Sequence, residues 1–100
     1  MIRLDPRANE THALVQAAGP FDGLRVLEIG AGDGRLTRRY ARTAAEVVAL
    51  EPDVERLQRR KLPASWSERV HCLPLSLEQY LHSPAGAKTR FDRVLLSWSL

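Results

Sequence analysis

Residues 26–36 read VLEIGAGDGRL: an apolar run, three glycines within five residues, and the start of a helical pattern. Glycine tolerates positive φ and lets another group approach the backbone with no Cβ in the way. A buried strand entering a helix through such a turn is the opening half of a βαβ unit, which commits the chain to a parallel sheet with right-handed crossovers. The helix start also offers unpaired N–H groups and a partial positive charge. In open α/β sheets, ligands bind at the carboxyl ends of the strands, where this turn sits.

The pattern repeats along the chain. LRVLEI (24–29), EVVALE (46–51), RVHCL (69–73) and FDRVLLSW (91–98) have the length and composition of buried strands. Between them lie three helical stretches. The first carries Leu36, Tyr40 and Ala44 on one face, with Thr37 and Ala41 beside them, and Arg35, Arg38, Arg39 and Arg42 on the other. The second, PDVERLQRRKL (52–62), opens with acids and closes with bases, as a helix dipole favours, until Pro63 stops it. The third, SLEQYLHS (76–83), sets Ser76 and Gln79 at capping-box spacing. A further helix is expected from Pro6 to Ala18, ended by Gly19-Pro20, and PAGAKT (84–89) reads as a loop. The sum is one α/β domain over residues 1–100, a parallel sheet with helices on both faces.

Composition narrows the function classes. At 100 residues and 44% hydrophobic, the chain fits one core and not two. Cys72 has no partner for an intrachain disulfide, and MIRLDPRANE lacks the apolar core of a signal peptide. No apolar run is long enough for a membrane span, so a cytoplasmic protein without a membrane partner is expected. His12, His71 and His82 lack metal-ligand spacing, and no metal is expected. Cys72 reads as a small buried hydrophobe and Trp66 as packing in the loop before the third strand.

Two ligand classes compete for the glycine turn. A dinucleotide fingerprint, G-x-G-x-x-G, would need its third glycine at position 35, which is Arg35. The spacing here is G-x-G-x-G, with Glu28 two residues before Gly30. A carboxylate there repels a pyrophosphate and suits an ammonium group. A nicotinamide dehydrogenase is therefore disfavoured.

With those residues in place, the chain resembles the class I S-adenosylmethionine-dependent methyltransferases. VLEIGAGDG is similar to that family's first motif, VVALEPD to its second, HCLPLSLEQ stands where the third is expected, and FDRVLLSWSL resembles the fourth strand. The resemblance implies a Rossmann-like sheet and S-adenosyl-L-methionine as cofactor. It implies that Glu28 holds the methionine ammonium, directly or through water, and that Gly30, Ala31, Gly32 and Gly34 form the loop around the methionine and ribose. Glu51 would accept from both ribose hydroxyls and Pro52 would lie against the adenine. Ser76 and Leu77 stand where the family often has an adenine-contacting aspartate, and Ser97 with Trp98 would border the methyl-transfer site. No catalytic residue is implied.

Blander roles stand beside these. Glu28 could cap the helix that follows, Glu51 could serve a helix dipole, and Ser76 could be only a helix cap. The arginine stripe could be a solvated face or an RNA contact through Arg35, Arg38, Arg39 and Arg42. The family's sheet has seven strands, and this chain supplies motifs for the first four. The sheet is thus expected to be truncated after the fourth, leaving Phe91–Trp98 as an open apolar edge that invites self-association or a completing partner chain. The leading expectation is a methyltransferase, or its cofactor-binding half. The SWSL ending and the lack of an Asn/Asp-Pro-Pro-Tyr signature lean toward a small-molecule acceptor; the alternatives are a non-catalytic binding module or a piece of an RNA methyltransferase.

Overall fold

The computed structural model describes residues 2–5, as backbone pairing, and residues 21–97. The Pro6–Ala18 helix, His12 and Trp98 lie outside the described residues. Five strands form one parallel sheet: β1 (Ile2–Asp5), β2 (Arg25–Ile29), β3 (Glu46–Leu50), β4 (Val70–Leu73) and β5 (Arg93–Ser97), in the spatial order β1-β5-β2-β3-β4. The helices are α1 (Arg35–Tyr40), α2 (Val54–Gln58), α3 (Leu77–Leu81) and α4 (Pro84–Lys88), with a 3-10 turn at Ala64–Trp66. None of these helices is long and apolar enough to cross a membrane.

The four strands expected from sequence pair in the expected order. Val26 sits opposite Val47 on one side of β2, Leu27 opposite Val94 on the other, and Val48 opposite His71 further out. Each strand alternates its side chains between two cores, which is why the strand sequences are almost continuously apolar. One core gathers Val26, Val47, Ala49, Val70 and Leu95 beneath Leu36, Tyr40 and Ala44. The other packs Leu27, Val48 and Leu50 against Tyr80.

The expected open edge is corrected. Ile2–Asp5 runs parallel to β5, with Arg3 opposite Leu95 and Leu4 opposite Leu96, and occupies the outer side of that strand. The N–H and C=O row of β5 on that side therefore meets the chain's own N-terminal strand. IRLD does alternate apolar and polar residues, but four residues of alternation are too short to distinguish from chance. Deleting residues 1–5 should expose the β5 edge and raise self-association. Sedimentation at micromolar concentration checks this, with a heavier species expected for the truncated chain than for the full one.

Two further departures have local causes. α1 ends at Tyr40 rather than continuing to Ala44. Arg69 takes the carbonyls released there, donating to Ala41, to Ala44 at 3.0 Å and to Arg42 at 2.7 Å. Its guanidinium carbon lies 5.4 Å from the centre of the Trp66 ring, so Trp66 packs as a platform for it. PAGAKT, read as a loop, forms α4. Ser83 caps it through Gly86 N–H, and Pro84 takes the first turn, where its missing N–H costs nothing. Gly86 is required there, since a Cβ would fall 1.8 Å from the Tyr80 carbonyl oxygen.

Candidate functional site

The strand ends β2, β3 and β5 place the glycine loop and Glu51 around one hollow. Gly30, Gly32 and Gly34 all adopt positive φ, at 77°, 61° and 85°. The first half of the loop is tied to the neighbouring strand, with Gly30 and Ala31 N–H both donating to the Leu50 carbonyl at 2.9 Å. Gly34 N–H closes the turn onto Ala31 O at 3.1 Å, and α1 begins directly after it.

Glu51, buried at the end of β3, is the hub. Its Oε1 accepts from Gly32 N–H at 2.7 Å and its Oε2 from Asp53 N–H at 2.9 Å. One carboxylate thus holds the glycine loop on one side and the approach to α2 on the other. An ionised carboxylate has about four acceptor positions, so each oxygen keeps capacity for a further donor. Asp53 in turn caps α2, accepting from Glu55 and Arg56 N–H.

A cavity of about 310 Å³ opens over these groups, lined by Ile29, Gly30, Leu50, Glu51, Pro52, Arg56, Leu75, Ser76, Leu77 and Ser97. That is the lower end of the size usual for small-molecule sites. Its walls are mostly aliphatic, and Glu51 is the carboxylate among them. The structure thus brings Gly30, Glu51, Pro52, Ser76, Leu77 and Ser97 to one cavity. Ala31, Gly32 and Gly34 form the loop behind its lip. Sequence pattern did not single out Arg56 or the Ile29, Leu50 and Leu75 walls; the walls look like any other core leucine or isoleucine in the sequence.

Glu28 stands elsewhere. It is fully buried beneath the loop, on the core face shared by Val26, and Oε1 accepts from Thr37 Oγ1 at 2.6 Å and from Tyr40 Oη at 2.8 Å. The carboxylate expected to meet an ammonium, directly or through water, is enclosed and is not among the residues that line the cavity. It ties two turns of α1 to β2, and so fixes the helix on which the loop ends. Burial, and then the adjacent Glu28 carboxylate, hold the Tyr40 phenol well above its ordinary pKa. The folded state therefore binds this proton more tightly than the unfolded chain does. Its stabilising effect is complete below the unfolded value near 10 and is lost as pH rises beyond it. Alkaline unfolding monitored by circular dichroism should show stability falling above pH 10, with a shallower fall for Tyr40→Phe.

Ser76 is a helix cap, as its spacing with Gln79 suggested. Its hydroxyl accepts from Gln79 N–H at 3.1 Å, while Gln79 Oε1 accepts from Ser76 N–H at 2.8 Å. It borders the cavity with its hydroxyl already engaged. Cys72 is half-buried against the α1-side core, with burial raising its thiol pKa. His71 faces Glu46 at 3.5 Å, and the His82 ring lies 2.8 Å from the Glu78 carbonyl. Among the described residues no group of three or more His, Cys, Asp or Glu is placed to hold a metal ion.

Known proteins agree with this architecture. The ubiquinone biosynthesis O-methyltransferase of Mesorhizobium japonicum is 44% identical over 50 residues, half of this chain and 20% of that protein. Ribosomal RNA small subunit methyltransferase A of Agrobacterium fabrum is 34% identical over 77 residues, 76% of this chain and 22% of that protein. The same enzyme of Rhodopseudomonas palustris strain BisB18 is 54% identical over 41 residues, 40% of this chain and 14% of that protein. The chain is related to the class I methyltransferases. The matched segments span 14% to 22% of the length of these methyltransferase relatives. No family model matches it. A solved structure described as a conserved hypothetical protein of Streptococcus pyogenes superimposes with a TM-score of 0.69 at 22% identity, over 84% of this chain and 54% of that one. That likeness concerns the fold alone.

Proposed function

We propose that this chain is the cofactor-binding portion of an S-adenosylmethionine-dependent methyltransferase, with the cofactor seated in the cavity at the ends of β2, β3 and β5. The observation that carries the proposal is Glu51: a buried carboxylate already fixed by Gly32 and Asp53 N–H, with one spare acceptor position on each oxygen, at a cavity whose walls are mostly aliphatic. A vicinal diol on a flat apolar base is the chemistry that such a pair of acceptors and such walls fit. Ile29, Leu50, Leu75 and Leu77 supply apolar surface, Pro52 an exposed rim, and Gly30 a backbone with no side chain at the mouth. The sulfonium of the bound cofactor supplies the methyl group. This chain's contribution is to bind and orient, since an in-line displacement depends mostly on positioning. Glu28 acts through the loop and α1, with a water-mediated link to the cofactor ammonium as its remaining route. A cytoplasmic setting fits this role.

The proposal is tested by calorimetry of the full chain with S-adenosylhomocysteine and with NAD. Binding of the first and not the second is expected. The reverse result, or binding of neither, would overturn it. In a separate assay with S-adenosylmethionine and offered acceptors, cofactor binding without methyl transfer would favour a non-catalytic module.

For the acceptor, two alternatives remain within the proposal. A small molecule is suggested by the SWSL ending, of which Ser97 alone lies among the described residues. A nucleic acid is favoured by the basic surface beside the cavity.

A further inference from the structure

The arginine stripe of α1 divides in the structure. Arg35 and Arg38 face a recess of about 280 Å³ that is lined by Asp33, Arg35, Arg38, Arg59 and Lys61; Arg39 and Arg42 are not among its walls. A smaller hollow of about 130 Å³ adjoins it, sharing Asp33, Arg35 and Arg59 and adding Arg56. Arg56 also borders the candidate cofactor cavity. Shared walls thus set the three hollows side by side as a track: Arg56 borders both the cavity and the smaller hollow, and Asp33, Arg35 and Arg59 border both that hollow and the recess with Lys61.

The charge along this track is one-sided. Four cations face one carboxylate in the larger recess. Asp33 lies 3.6 Å from Arg35 and Glu55 lies 3.9 Å from Arg59, both at the surface, where such pairs are weak and yield readily to another anion. Arg38 reaches the Lys61 carbonyl at 3.5 Å, which brings the two walls together. Three of the four cations are arginines, whose planar fork matches phosphate oxygens. Sequence separates Arg35 and Arg38 from Arg59 and Lys61 by more than twenty positions, so this convergence is a product of the fold.

We propose that this track binds the phosphodiester backbone of a single-stranded nucleic acid. A single phosphate would occupy one hollow; a chain of them uses the succession. No aromatic side chain lines the two basic hollows. The contact is accordingly with the backbone and independent of base sequence. If the cavity holds S-adenosylmethionine as proposed above, the track leads the strand toward it, but the binding itself does not depend on that.

The test is fluorescence anisotropy of the full chain with 12-nucleotide RNA and DNA strands of mixed sequence, titrated at several salt concentrations. Binding should weaken with salt with a log–log slope near −3, at about 0.7 per phosphate contacted. Arg35→Gln with Arg38→Gln should lower affinity at least tenfold and reduce the slope by about 1.4. Arg59→Gln with Lys61→Gln, on the opposite wall, should do the same, which keeps the test valid if one pair fails to fold. Arg39→Gln with Arg42→Gln removes the same charge off the track and should stay within twofold of wild type. Equal losses from all three pairs would reduce the effect to net charge and overturn the proposal, as would absence of binding or equally tight binding of polyglutamate. RNA preferred over DNA would assign the strand to RNA, and equal affinity would assign the site to either backbone. Failure of S-adenosylhomocysteine to bind, with nucleic-acid binding intact, would overturn the cofactor assignment and leave this one standing.

Discussion

Gly30→Ala should destabilise the fold by about 3 kcal/mol or more, lowering the melting temperature by about 12 °C or more for a domain of this size. Two costs combine. At φ 77° an L-residue is held in the left-handed region, at about 1–2 kcal/mol. The added Cβ would also stand 2.2 Å from the Ser97 carbonyl oxygen, and backbone at the end of a strand paired on both sides cannot swing aside as a side-chain tip can. Overpacking of this kind costs about 1–3 kcal/mol. The other positive-φ glycines separate the two terms. A Cβ on Gly34 would meet Leu62 at ordinary contact distance, 3.4 Å, and one on Gly23 would meet nothing within 4 Å. Gly34→Ala and Gly23→Ala should therefore show the conformational cost alone, about 1–2 kcal/mol. Thermal denaturation of the three variants checks the ordering. Equal losses at all three positions would mean that the Gly30–Ser97 approach is not a constraint.

That close approach shows what sequence could and could not convey. The motif VLEIGAGDG announces that backbone must pass near something, and the natural inference is a ligand. At Gly30 the neighbour is also the protein itself, the end of β5, some 67 positions away in the chain. Long-range neighbours of this sort are invisible to local pattern. The strands β2 to β5 were legible because each is a short apolar run bounded by turn residues, and their order followed from alternation with helices. β1 was not, because four alternating residues carry too little signal. Its effect is large all the same, since it turns an exposed edge into an interior strand.

Glu28 and Glu51 teach a related lesson. Both are acids at strand ends beside the glycine loop, and sequence assigns both to the ligand. The direction of the side chain gives them different surroundings. Glu28, two positions after Val26, points into the α1-side core, where Thr37 and Tyr40 meet it. The partners of Glu28 lie nine and twelve residues on, consistent with two turns of one helix, so a Glu followed by Thr and Tyr at that spacing was a usable signal. Glu51 lies one residue past β3, where the strand has ended and its carboxylate can turn toward the loop. The arginines divide in the same way: periodicity put four on one face, while the α2 residues opposite them select Arg35 and Arg38.

Glu51→Ala should weaken S-adenosylhomocysteine binding by about 1.5–3 kcal/mol, which is about 10- to 150-fold, and cost about 2 kcal/mol of stability. The two losses have different origins. Stability falls because Gly32 and Asp53 N–H lose their acceptor, the first of them in a buried bond. Affinity falls because the ribose diol loses its partner, but also because the loop is no longer held in shape. Those two routes to weaker binding are separated by a cycle in which the ligand is changed as well. An S-adenosylhomocysteine analogue lacking both ribose hydroxyls should bind wild type more weakly than the parent. If Glu51 contacts the diol, that penalty should all but vanish in Glu51→Ala, since the group that read the hydroxyls is gone. If Glu51 only braces the loop, the two penalties should add, and the variant should discriminate between the ligands as strongly as wild type does. Calorimetric dissociation constants for the four combinations decide it: additivity within about 0.5 kcal/mol would refute the ribose contact while leaving the bracing bonds to Gly32 and Asp53 in place.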